Sequence, residues 1–391
     1  MSSSTTSPTG SPITDEDLAD IRSELPLLDR VRYLNAGMLG PLTRHARDAV
    51  AGECALDAER RDDPELWTRL VAHQAAARGA VTSLTGVSVD QVALTHTTHE
   101  ALNVCLWGLP LDADGGHSIV TTDEEHPGLL VPLRHVRDRR ACEIRTAAWV
   151  DDDETFVANV LALVDTGTRA VALSHVSWVT GRVAPISALG AALPDGVRLI
   201  VDGAQSAGVL AVDPSDGWDA YTVSGQKWSC GPNGSGGLAL VDPEAWLPTF
   251  GAYLQLTDPS DPFGSALTPT AARFESSQEA SGPLAGFAAS VAWLVGEVGL
   301  WRAHEHALAL NSYARSVLAS GPRTAALTLH GHEHLLCIDV AEGTALTVVQ
   351  RIARAGVSVR PLGASRLRLS LGAWNSTEDI DACVAALADE L

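Results

Sequence analysis

The chain has 391 residues, 46% of them hydrophobic and 19% charged, which is enough apolar material for a buried core and excludes bulk disorder. Its 48 acidic residues against 27 basic ones leave a formal charge of −21, a field that repels phosphate backbones and anionic lipid heads. Nucleic acid and membrane surfaces are therefore disfavoured as partners, and the length suits one large domain with a smaller companion.

Residues 1–13 are rich in Ser, Thr and Pro, without a basic residue or an apolar run, and read as a disordered tail rather than a signal or transit peptide. An amphipathic helix is expected over Asp15–Leu28, followed by Val31–Asn35. Residues 14–37 form an N-terminal segment expected to pack with the small domain. Helical patterns follow at about 45–61 and 64–84. Strand-like runs then occur at Gln91–Thr95, Ser118–Thr122, Glu143–Ala147, Arg169–Ser174, Arg198–Asp202, Ala220–Ser224 and Gly237–Val241. Helices at Thr98–Leu109, Pro127–Asp138, Asp153–Asp165 and Ile186–Leu193 separate most of them. Alternation of this kind predicts an α/β fold, a mostly parallel seven-stranded sheet covered on both faces in a large domain, 38–269. Ligands of such sheets sit at the C-terminal strand ends.

After residue 270 the pattern changes to a long helical stretch, Gly282–Leu318, then strand Leu335–Val340, helix Thr344–Ala355, strands Val357–Arg360 and Leu367–Leu371, and a helix capped by Ser376 with Asp379. This reads as a smaller C-terminal α+β domain, 270–391. The six cysteines are scattered without a C-x-x-C pair, which suits a reduced, cytoplasmic setting.

Lys227 is the only lysine; the other 26 basic residues are arginines. Arginine cannot replace a lysine that must lose its proton and form a covalent bond. A P-loop is excluded, because Lys227 lies between Gln226 and Trp228. Asp202, in Val201-Asp202-Gly203-Ala204-Gln205-Ser206, and Lys227, in Val223-Ser224-Gly225-Gln226-Lys227-Trp228, both follow predicted strand ends. A carboxylate and a unique lysine at one sheet edge suit pyridoxal phosphate, which needs an amine to hold it, an acid to keep its ring nitrogen protonated and a cradle for its phosphate. Thr95-His96-Thr97-Thr98-His99-Glu100, between a strand and a helix, offers that cradle through free backbone amides, with Thr97 and Glu100 spelling a capping box. Ser224 adds a hydroxyl from the lysine loop.

The motifs, in order along most of the chain, resemble fold-type I pyridoxal-phosphate enzymes of the class V aminotransferase group, which includes cysteine desulfurases, isopenicillin N epimerase and the ergothioneine-pathway C–S lyase. They are Tyr33-Leu34-Asn35-Ala36-Gly37, Thr97-Thr98-His99-Glu100-Ala101-Leu102-Asn103, Glu125-His126-Pro127-Gly128, Ser174-His175-Val176-Ser177-Trp178, Asp202-Gly203-Ala204-Gln205, Ser224-Gly225-Gln226-Lys227 and Leu367-Arg368-Leu369-Ser370. The resemblance implies a catalytic set of Lys227, His126 and Asp202, with His126 stacked on the cofactor ring. It implies cofactor contacts from Thr98, His99, Ser177, Gln205 and Ser224. Substrate contacts fall to Arg368, as the α-carboxylate clamp, with Asn35 and with Trp178 as a pocket wall. A homodimer and a small amino-acid-type substrate are implied in the same way.

Three departures bear on the reaction. Gln226 stands where relatives carry histidine before the lysine. Glu275-Ser276-Ser277-Gln278 replaces Glu-x-Gly-Thr, whose threonine reaches the phosphate of the partner subunit. Between Gly356 and Arg368 the chain has no cysteine, so the persulfide chemistry that desulfurases run on that loop is unavailable. The expected function is a C–S lyase acting by β-elimination on an S-substituted cysteine conjugate in specialised or thiol metabolism. The alternatives are an aminotransferase, epimerase or decarboxylating deaminase of a specialised metabolite, as in some antibiotic-pathway members. A non-catalytic binding protein on the same scaffold conflicts with the joint presence of Lys227, Asp202 and Gln205. No metal site is expected: His330, His332 and His334 alternate as on one strand face, but the outer two would lie roughly 13 Å apart.

Overall fold

The computed structural model describes residues 11–111, 115–276 and 280–389. The tail expected over residues 1–13 and the Ser277-Gln278 departure therefore lie largely outside the described residues.

After helix α1 (Asp15–Ser23), strand β1 (Arg32–Tyr33) and helices α2 (Arg44–Glu59) and α3 (Leu66–Thr85), the chain alternates as β2 (Val92–Leu94), α4 (Thr98–Gly108), β3 (Ser118–Thr122), α5 (Pro127–Arg140), β4 (Glu143–Ala147), α6 (Asp153–Leu161), β5 (Thr168–Ser174), α7 (Ile186–Ala192), β6 (Arg198–Asp202), β7 (Ala220–Ser224) and β8 (Gly236–Leu240). Each strand end falls within one residue of its place in the sequence reading. The sheet order is β2-β8-β7-β6-β5-β3-β4, with β8 alone antiparallel to its neighbours. Its central strands are buried on both faces, as continuous apolar runs require. The edge strand β4 is instead half exposed and carries Arg145, paired with Glu143 and Asp165, charges that blunt a free edge.

The long helix expected over Gly282–Leu318 is two helices, α8 (Ser281–Trp293) and α9 (Leu300–Ser320), meeting at 73°. A π turn over Leu294–Val298 ends with the Gly299 amide on Leu294 O at 2.8 Å, and Gly299 takes a φ of +82°, which a side chain would resist. The two helices contribute to different clusters, while a third, containing Trp293, Leu294, Val298 and Ala303, spans the bend. Leu284, Phe287 and Val291 of α8 join the apolar cluster of the large sheet, while Leu310, Ala314 and Leu318 of α9 join the C-terminal cluster.

The C-terminal unit contains β9 (Leu329–His330), β10 (Leu335–Asp339), α10 (Ala345–Arg354), β11 (Val357–Ser358), β12 (Arg360–Leu362), β13 (Arg366–Ser370) and α11 (Thr377–Ala388). Its antiparallel sheet runs β12-β13-β10-β9. The capping box of Ser376 and Asp379 forms as expected. The N-terminal segment fastens here: β1 pairs in parallel with β11, Leu34 enters the C-terminal core, and Arg22 holds Asp379 and the Trp374 carbonyl.

The three alternating histidines do not share a strand face, because β9 ends at His330 and a turn separates it from β10. His330 pairs with Asp339, His332 is exposed, and His334 is buried against the Gln205 carbonyl at 2.6 Å.

Candidate active site

The carboxyl ends of β5, β6 and β7 converge on one cavity with two connected lobes. The inner lobe, about 30 Å³, is lined by Thr98, His99, His126, Trp178, Asp202 and Lys227, among others. The outer lobe, about 190 Å³, shares Thr98, His99, His126, Trp178, Gln205 and Lys227 and adds Gly37, Met38, Gln226, Arg360 and Arg368. A larger hollow of about 450 Å³ between α2, α3 and α8 contains none of these residues; its wall is Trp67, Leu70, Val71 and Leu284 with the Asp57–Arg61 pair.

Lys227 follows the end of β7 on a tight turn. Its carbonyl accepts from Cys230 N, and the Gly40 amide donates to the Gln226 carbonyl at 2.8 Å. A Cβ on Gly40 would lie 1.8 Å from Lys227 O, so only glycine lets the N-terminal segment pass this close. Burial pushes the Lys227 amine down to about 8; Asp202 acts against that shift and Arg368 with it. Asp202 ends β6, and its Oδ1 accepts from Ala204 N at 3.0 Å and from Thr222 Oγ1 at 3.2 Å. Both bonds use one oxygen, which leaves Oδ2 for a ring nitrogen.

His126 caps α5, its Nδ1 accepting from Gly128 N at 2.9 Å, which assigns the neutral ring's proton to Nε2. Burial, then the Lys227 charge, lowers its pKa to about 4. The ring is parallel to His99 at 5.9 Å and meets Trp178 edge-on at 4.8 Å. Arg368, on β13, is buried; its Nη1 donates to Trp178 O at 2.9 Å and its Nε has no partner. Burial lowers its pKa to about 10. Gln205 is held from both sides, donating to Gly37 O at 2.8 Å and accepting from Trp228 Nε1 at 3.2 Å.

Other expected residues stand differently. Ser177 does not line the cavity. Its Oγ donates to Glu124 at 2.5 Å and accepts from Thr180 N at 3.1 Å, so it shapes the loop that carries Trp178. Asn35 lines neither lobe; it is buried, with Oδ1 unpartnered and Nδ2 on Met38 Sδ at 3.8 Å. Ser224 is buried at the end of β7, its Oγ unpartnered. The capping box at Thr97 half forms. Thr97 Oγ1 takes Glu100 N, but the Glu100 carboxylate reaches back to His96 N at 2.7 Å.

Sequence reasoning missed Glu125 and Arg360. Glu125 lies beneath the strand ends, buried, accepting from Ser174 N, Ser174 Oγ and Thr122 Oγ1, and burial raises its pKa to about 7. Its place beside His126 was the available signal. Nothing local marks Arg360, because only strand pairing brings it to the cavity.

The residues fit pyridoxal phosphate. The first amides of α4, which the helix cannot satisfy internally, open on the cavity at Thr98 and His99, and the Ser224 hydroxyl is buried without a partner nearby in the chain. A family model described as aminotransferase class-V matches residues 58–383. The chain belongs to the class V aminotransferase family. It is a fold-type I, pyridoxal-phosphate-dependent enzyme. Among curated relatives, this class V chain is 28% identical over 321 residues to a cysteine desulfurase of Enterobacter sp. (strain 638), covering 77% of this chain and 78% of that protein. It is 29% identical over 323 residues to one of Yersinia pestis (strain Pestoides F), with coverage of 77% and 78%. Its fold matches the cystine C–S lyase C-DES in complex with cysteine persulfide, with a TM-score of 0.86 at 24% identity over 93% of this chain and 99% of that one. It also matches the cysteine desulfurase CsdA of Escherichia coli, with a TM-score of 0.82 at 24% identity over 95% and 98%.

Proposed function

We propose that this chain is a C–S lyase that uses one water to convert an S-substituted cysteine into pyruvate, ammonia and a free thiol. The observation that supports it is a cavity where Arg368 and Lys227 converge while, among the described residues, no cysteine lines either lobe. Sulfur leaving the substrate meets no protein thiolate and departs with its substituent. The segment where desulfurases place their nucleophile is here the end of a hairpin, β12 to β13, and the six cysteines lie elsewhere.

When bound, pyridoxal phosphate supplies an electron sink for charge developing at the substrate α-carbon. Asp202 Oδ2 would hold the cofactor's protonated ring nitrogen, and neutral His126 would help to position its ring. Arg368 grips the α-carboxylate through the donors that Trp178 O leaves free. Lys227, whose amine is neutral above about pH 8, takes the α-proton. Gln226 has no group that gains or loses a proton at any working pH, so acid–base work on that turn falls to Lys227.

The test is a product assay on cofactor-loaded protein with a panel of S-substituted cysteines. Equal amounts of pyruvate and thiol, lost in Lys227→Ala, are expected. Conversion of the cofactor to its amine form without thiol would replace this reading with transamination. We also infer a homodimer, supported by Trp67 and Val71, which are exposed on α3 beside the 450 Å³ hollow; sedimentation at the mass of one chain would overturn it.

A further inference from the structure

Arg368 has a neighbour of like charge that the proposed reaction leaves unused. Arg360 on β12 is its direct cross-strand partner on β13, so both side chains leave the same face of the sheet, roughly 5 Å apart at Cβ. Both line the outer lobe. Arg360 is half-buried, and its guanidinium meets Met38 Sδ at 2.8 Å, a weak acceptor. Among the described residues no carboxylate pairs with it. Among the described residues no acidic side chain lines the outer lobe, although acids outnumber bases 48 to 27 along the chain. Like charges set opposite each other destabilise a sheet unless something neutralises them.

The anions already assigned do not need Arg360. The cofactor phosphate belongs at the start of α4, by Thr98 and His99, and the substrate α-carboxylate belongs to Arg368. We propose that Arg360 is a specificity-determining residue that receives a second carboxylate, one carried on the sulfur substituent of the substrate. The preferred substrates are then dicarboxylic cysteine conjugates, with a short apolar linker from sulfur to carboxylate lying against Met38 and Trp178. Arginine presents a planar fork that matches a carboxylate in two-point contact, and its unused donors are available for it. The identity of the substrate as a cysteine conjugate rests on the lyase reading; the requirement for a second anion rests on the geometry of Arg360.

The experiment compares S-(2-carboxyethyl)cysteine with its neutral near-isostere S-(2-carbamoylethyl)cysteine on the holoenzyme, by kcat/KM for pyruvate release. Calorimetric dissociation constants for both compounds are measured on cofactor-loaded Lys227→Ala. The acid is expected to be favoured over the amide by on the order of tenfold to a hundredfold in both readouts, the range of one charge-assisted contact. Arg360→Gln should bring the ratio near one, and Arg360→Lys should restore part of it. Equal affinity for acid and amide in the parent, or a preference that survives Arg360→Gln, overturns the proposal. If no conjugate yields pyruvate but the acid still binds more tightly through Arg360, the lyase reading fails and this one stands.

Discussion

Asp202 and Lys227 reach the cavity from adjacent strands of one sheet, whereas Arg368 and Arg360 reach it from a second sheet, in a separate core beyond the bend at Gly299. The inner wall is a network closed except at Asp202 Oδ2 and Ser224 Oγ, which the cofactor would complete. Asp202, His126 and Glu125 each have partners within it, and Glu125 ties the ends of β3 and β5 together through Thr122 and Ser174. The outer wall is left open: Arg368 Nε is buried without a partner, and Arg360 has only a thioether. Buried polar groups that the protein leaves unpaired are those a ligand completes. The inner wall therefore carries cofactor chemistry that does not depend on the substrate, and the outer wall carries the choice of substrate.

That contrast can be broken at its strongest point first. Glu125→Ala removes the acceptor of three buried donors and should lower unfolding stability by about 3 kcal/mol, read from urea denaturation of the apo protein. A loss below about 0.5 kcal/mol would mean that the inner wall is not the network described. Arg368→Gln should leave stability nearly unchanged while lowering kcat/KM by about a hundredfold, mostly through KM. Equal losses in stability would erase the distinction between the walls.

The Lys227 amine sharpens the inner side. With its pKa at about 8, the neutral fraction in the apo protein falls as pH drops. The rate of covalent cofactor attachment, followed by absorbance, should rise about tenfold per pH unit up to about 8 and level off above it. A rise continuing past pH 10 would show an amine that burial does not perturb. The smallest effect is expected at Gly37, where a Cβ would lie 2.8 Å from Arg368 Nη2 and 3.0 Å from Gln205 Oε1. Gly37→Ala should push the guanidinium aside and raise KM by about tenfold or less, with cofactor affinity retained. Loss of cofactor instead would place Gly37 with the inner wall.

The legibility of the site follows the same division. Every strand of the large sheet could be read, because each is a short apolar run between turn signals, and the residues after β6 and β7 are set by their distance from those strands. His126, Asp202 and Lys227 meet for that reason. Ser177, expected at the cofactor from the resemblance, instead holds Glu124 in the loop that carries Trp178, a contact between segments remote in sequence. The Gly282–Leu318 helix was overextended because a π turn keeps apolar spacing while it bends the axis.

The sequence by itself determined the sheet, its ligand-binding edge, the unique lysine and, through ordered motifs, the family and its cofactor. These depend on periodicity, strand ends and residue chemistry within short windows. Tertiary structure alone decided that the helical stretch bends at Gly299, that Glu125 braces two strand ends, and that Arg360 stands beside Arg368 over the cavity. Each of these depends on contacts between segments remote in sequence or on strand register, where a shift of one residue would turn Arg360 to the opposite face.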